Sequence, residues 1–221
     1  LGVYAIEDVS PKTIYLQAKA VFEDFSPAVV KIGMLSRKEI VAVVIEIIKE
    51  FKPKWVVLDP VMVAKSGVPL LDEKALTLFK LKLLPLASIV TPNIPEAEAL
   101  TGISINSLED MKLSAKYLVD ELGVKSVLVK GGHLKDDPID VFFNGKEFWV
   151  LTGKRVMTKN THGTGCTLSS AISANLALGY DLITSVKKAK LYVEKAIETA
   201  IPLGKGAGPL NHWWNIKFEW V

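Results

Sequence analysis

The chain has 221 residues, 49% hydrophobic and 23% charged, which is enough apolar material for one α/β domain and too much for a disordered polymer. Its 27 basic and 24 acidic residues are scattered in mixed order and leave a formal net charge of +3, so no basic patch points to nucleic acid. A single cysteine excludes an intrachain disulfide framework and fits a reducing cytoplasm, and the three histidines lack zinc-type spacing with it.

Taken in chain order, short apolar runs alternate with longer amphipathic ones. AVVKIGM (Ala28 to Met34), WVVLDP (Trp55 to Pro60), SIVTPN (Ser88 to Asn93) and SVLVKGG (Ser126 to Gly132) are β-branched and end in polar or glycine residues. Runs of this kind suit strands covered on both faces, as in a parallel sheet. Between the first two, Ser36 with Glu39 reads as a capping box opening the helix IVAVVIEIIKEF. The apolar part of that helix is short and interrupted by Glu46, so neither a membrane span nor a signal peptide is visible. Ser107 with Asp110 resembles a weaker cap before MKLSAKYLVDEL, which stops at Gly123. The stretch from Asp140 to Met157 breaks the alternation, because DVFFNGKEFWVL holds an Asn-Gly turn between β-prone segments and reads as a hairpin. Two more helical patterns follow, TLSSAISANLALG and LITSVKKAKLYVEKAIETAI.

This order predicts an α/β fold with an open, mostly parallel central sheet and helices on both faces, in one domain over residues 1–221. Ligands of such sheets bind beyond the carboxyl ends of the strands, which here carry Asp59, Asn93 and Lys130.

Four groups of residues offer chemistry there. In NTHGTGCTLSS, Gly163, Thr164 and Gly165 lead into a helix, whose free N–H groups and positive dipole end favour an anion. Cys166 falls in the first turn, where that field is expected to lower its pKa; a small apolar residue packed behind a glycine turn is the plainer alternative. Asp59 ends a strand before Pro60, where a carboxylate suits Mg²⁺ or simply caps the next loop. Asn93 and Glu96 suit a hydrated magnesium ion carrying phosphates, and they equally fit an ordinary capping box. Lys130 runs into two glycines, placed either to meet a phosphate or to lie beside a surface turn, and no P-loop sequence is present to do that work instead. Together the four supply what phosphoryl transfer to a hydroxyl requires.

The motifs KIGML, DPVMVAKSG, TPNIPEAEALTG, VLVKGGHL, NTHGTGCTLSSAI and GPLNHWW occur in this order from Lys31 to Trp214. In this the sequence resembles the ribokinase-like small-molecule kinases, and within them the hydroxymethylpyrimidine/phosphomethylpyrimidine kinases of thiamine biosynthesis. The resemblance implies a three-layer α/β/α fold, ATP with Mg²⁺, a small pyrimidine substrate, a homodimer and a cytoplasmic location. It implies an anion hole at Gly163, Thr164 and Gly165, with Cys166 as the base facing the substrate hydroxyl. Asp59 and Glu96 would serve the metal, Lys130, Asn93, Glu96 and Thr161 the nucleotide phosphates, and Gly33, Met34 and Val61 the pyrimidine. His162 fits the motif without an assigned task. The GTGC form also occurs in a small set of pyridoxal kinases, and a binding relative without catalysis is the third reading. A glycine-rich first strand and a glutamine-bearing segment usual in the family are expected before Leu1 and between Ala5 and Ile6.

Overall fold

The structure is a computed structural model that describes residues 4–62, 73–132 and 138–216. The end of the DPVMVAKSG motif from Val63 onward, His133 with Leu134, and the last residues of the aromatic tail lie outside the described residues.

Among the described residues, six strands form one sheet in the order β1 (Val29–Ile32), β2 (Trp55–Leu58), β3 (Ile89–Val90), β4 (Val127–Val129), β5 (Ile139–Phe143), β6 (Phe148–Thr152). The first four are parallel, and β5 and β6 turn back as an antiparallel hairpin. The hairpin closes through Asn144, whose side-chain oxygen accepts from the Lys146 and Glu147 N–H groups, with Gly145 in a left-handed conformation.

Side chains alternate across each strand, so each strand feeds two cores. Val56, Leu58, Val90, Val127 and Val129 face α2 (Lys38–Phe51), α4 (Ile94–Thr101) and α5 (Leu108–Asp120). Val57, Ile89, Leu128 and Phe142 face α6 (Thr164–Ala177) and α7 (Leu182–Glu198), meeting Leu168, Ile172, Val186 and Val193. The result is the three-layer α/β/α arrangement, in which each fully buried aliphatic side chain contributes about 1.5–3 kcal/mol.

Two helical regions have no counterpart in the reading above. An N-terminal helix, α1 (Pro11–Phe25), packs on the outside of α2, with Phe22 stacked on Phe51 at 4.6 Å between ring centres. A short helix, α3 (Glu73–Leu78), continues through a π-helical and a 3₁₀ turn to Leu86. The expected Ser36 cap is not made. Arg37, whose guanidinium has no acceptor, is the N-cap residue of α2 and makes no side-chain cap bond, while Ser36 stands one position outside the helix with its hydroxyl donating to Asp8. Ser107 does cap α5, accepting from the Asp110 N–H. Among the described residues, no helix is long and apolar enough to cross a membrane.

Candidate active site

β2, β3 and β4 end side by side, and each delivers one polar residue to the same rim. Asp59 follows β2, held in register by its N–H on the Ile32 carbonyl at 2.9 Å, and a tight turn closes from the Val61 N–H to the Asp59 carbonyl at 2.8 Å. Asp59 is 1% exposed. Its Oδ1 accepts from Thr91 Oγ1 and from Lys130 Nζ, both at 3.1 Å, and its Oδ2 accepts from Ser169 Oγ at 3.4 Å.

Lys130 leaves β4 with its N–H on the Pro92 carbonyl, beside Asn93, and its ammonium also lies 4.0 Å from Glu96 Oε2. The chain then passes beneath Ile139: a methyl on Gly131 would stand 1.8 Å from that carbonyl oxygen, so only glycine fits. Asp140 secures the turn, accepting from the Gly131 N–H at 3.0 Å and from Lys190 at 2.6 Å.

Asn93 and Glu96 form the full capping box of α4, with the Glu96 N–H on Asn93 Oδ1 at 2.9 Å and the Asn93 N–H on Glu96 Oε2 at 2.8 Å. The capping-box reading of this pair is thus realised in the structure. Burial pushes the Glu96 carboxyl above its ordinary range, against the opposing pull of Lys130 and of the Asn93 N–H.

Across the rim, α6 begins. Gly163 takes φ 84° as N-cap, which L side chains rarely adopt, and the first intrahelical donor is the Thr167 N–H on the Gly163 carbonyl at 2.8 Å. The N–H groups of Thr164, Gly165 and Cys166 precede that first bond and stand at the positive end of the helix. Thr164 Oγ1 donates to the Thr161 carbonyl at 2.8 Å, and the preceding loop is pinned to the GPLNHWW segment by the His162 N–H on the Gly208 carbonyl at 3.1 Å. A methyl on Gly165 would lie 3.2 Å from Lys130 Nζ and 4.0 Å from Asp59 Oδ2, so the glycine turn, the lysine and the aspartate share one space.

Cys166 is the free, exposed cysteine of this turn. The expected lowering of its pKa is overturned. Partial burial, then the charge of Asp59 and a hydrogen bond to it, push the thiol up, and Lys31 and Lys130 only partly oppose this. Burial of the sulfur, aided by the neighbouring carboxylate, outweighs the two lysines.

Gly33, Met34 and Val61 sit at the same edge, at the ends of β1 and β2, with Met34 exposed. Thr91, Ser169 and Lys31 escaped the sequence reading. Ser169 lies one helical turn beyond Gly165 and Cys166, a spacing that would have placed it on their face.

This is the layout of a ribokinase-like small-molecule kinase: a parallel sheet whose strand ends face a glycine turn at a helix N-terminus. The chain belongs to the phosphomethylpyrimidine kinase family, whose model matches residues 1–211. The thiamine biosynthesis bifunctional protein ThiED of Geobacter sulfurreducens is 46% identical over 212 residues, covering 96% of this chain and 43% of that protein. The chain therefore spans less than half the length of that bifunctional relative. The crystal structure of phosphomethylpyrimidine kinase from Clostridium difficile 630 is 45% identical with a TM-score of 0.79, covering 89% of this chain and 80% of that one. The ADP complex of Bacillus subtilis pyridoxal kinase is 32% identical with a TM-score of 0.86, covering 95% of this chain and 78% of that one.

Proposed function

We propose that the chain transfers the γ-phosphoryl group of ATP to the hydroxymethyl group of 4-amino-5-hydroxymethyl-2-methylpyrimidine, and then to the resulting monophosphate, in thiamine biosynthesis. The observation that carries this reading is the shared space of the Gly165 turn, Lys130 and Asp59. Free N–H groups and a compact ammonium converge there, where a transferred phosphoryl group needs neutralising charge.

In this reading, the N–H groups of Gly163, Thr164, Gly165 and Cys166 hold the transferred group. Lys130 meets the nucleotide phosphates, and Asn93 and Thr161 line their path. Gly33, Met34 and Val61 border the ring of the acceptor. The hydroxyl oxygen bonds to the γ-phosphorus as the bond to ADP breaks. A loose transition state needs little proton removal beforehand, so a thiol kept protonated by its burial and by Asp59 holds the hydroxyl in line, and the hydroxyl proton passes late to an oxygen of the transferred phosphoryl group.

Asp59 and Glu96 already flank one cation, Lys130, and no cluster of three metal-binding side chains occurs among the described residues. That donor set fits magnesium, which takes one or two carboxylates and fills its shell with water and phosphate. Asp59 and Glu96 would hold the ion through water, and it would supply further neutralisation of the phosphates. The homodimer and the cytoplasmic location belong to the same proposal.

Pyridoxal is the competing acceptor, since the pyridoxal kinase backbone superposes well; the greater sequence likeness to the pyrimidine kinase favours the pyrimidine. The deciding assay is ADP release with the pyrimidine alcohol, its monophosphate and pyridoxal offered separately. Turnover of both pyrimidines is the expected result. Turnover of pyridoxal alone would overturn the reading, and turnover of none would leave a binding relative.

A further inference from the structure

Lys31 is the second lysine of the rim, and its surroundings differ from those of Lys130. In β1, Val29 packs into the α6–α7 core while Val30 and Ile32 take the opposite face, so Lys31 stands on the α6 side of the sheet. α6 packs directly against β1. The ammonium lies over Gly33, where an added methyl would stand 2.8 Å from Nζ, and it is near enough to Cys166 for its charge to act on the thiol. Lys130 is matched by Asp59 and Glu96. Lys31 is half-buried and forms no ion pair or hydrogen bond among the described residues.

A partly desolvated cation with no carboxylate partner among the described residues, at the acceptor end of the site, is suited to an anionic acceptor. We propose that Lys31 is the acceptor-side cation, binding the phosphate of the pyrimidine monophosphate when that monoester replaces the alcohol. The inference rests on the two-step reading above and assigns a residue to its second step. In that step a monoester oxygen bonds to the γ-phosphorus while the bond from that phosphorus to ADP breaks. The attacking oxygen is already ionised near neutral pH, so no proton must leave. What the step needs is a counter-charge, because a group of about −1.5 to −2 must approach the triphosphate.

The test uses the full-length protein, with initial rates of ADP release measured for the alcohol and the monophosphate at saturating ATP. Lys31→Met is expected to lower kcat/KM for the monophosphate roughly 100-fold, mainly through KM, and for the alcohol only about threefold. Lys31→Gln removes the charge but keeps a polar side chain, and should reproduce the selective loss at about thirtyfold. It keeps the question open to refutation if Lys31→Met does not fold. Equal losses on both acceptors, or a loss confined to the alcohol, would overturn the assignment. A wild-type protein inactive on both pyrimidines would overturn the underlying reading instead.

Discussion

On the β2–β4 side of the rim, Asp59, Thr91, Glu96 and Lys130 are bonded to one another and nearly sealed from water, whereas on the β1–α6 side Lys31, Gly33, Met34 and Cys166 stand half-open with few partners. The first side is preorganised: each charge has an opposite charge or a hydroxyl within reach, so little rearrangement is needed when phosphate arrives. In the proposed reading, the second leaves its cation and its thiol for the acceptor.

The sharpest way to break this contrast is Asp59→Ala. It removes the acceptor for Thr91, Ser169 and Lys130 at once and leaves a buried ammonium short of its closest partner. Activity should fall about 1000-fold and stability by about 3 kcal/mol, read from kcat/KM and urea denaturation. A variant that folds and turns over within tenfold of wild type would show that the sealed side is only scaffold.

Cys166→Ala probes the open side. Turnover of the alcohol should drop about 100-fold while the ATP dissociation constant, measured by titration calorimetry, changes less than about twofold. Near-normal turnover would remove the thiol from the mechanism.

The smallest effect is a pH dependence on the sealed side. Burial raises the Glu96 carboxyl, so the folded protein holds that proton more tightly than the unfolded chain. The stabilisation is complete below the ordinary carboxylate range and is lost as pH rises through the raised folded value. Glu96→Gln keeps an oxygen acceptor for the Asn93 N–H but cannot titrate. Denaturation from about pH 4 to about pH 8 should therefore show this loss in wild type and not in the variant. Identical slopes would mean that Glu96 is not held in the way its burial implies.

Much of the frame was legible in the sequence. The four parallel strands, the hairpin at Asn144–Gly145 and the helices after Ser107 and Gly163 follow from period, β-branching and caps, all properties of neighbouring residues. Ser36 misled because α2 starts one residue later than the pattern implied, with Arg37 at the N-cap, and Ser36 turns to a distant carboxylate, Asp8. Asn93 and Glu96 gave two readings, and the capping bonds were realised without displacing the pair from the rim. Cys166 misled on its pKa because helix position is visible along the chain, whereas the burial of its thiol and the neighbouring Asp59 are not.

What the sequence determined by itself was the set of strand ends and the glycine turn, since both depend on residue type and short-range spacing. Only the tertiary structure decided the partner of each polar group: Lys130 reaches Asp59 across 71 positions and Ser169 reaches it across 110. Those contacts distinguish a lysine matched by carboxylates from one left over Gly33. The physical reason is that ionisation and affinity depend on what fills the few ångströms around a charge, and in a parallel sheet that space is filled from strands and helices far apart along the chain.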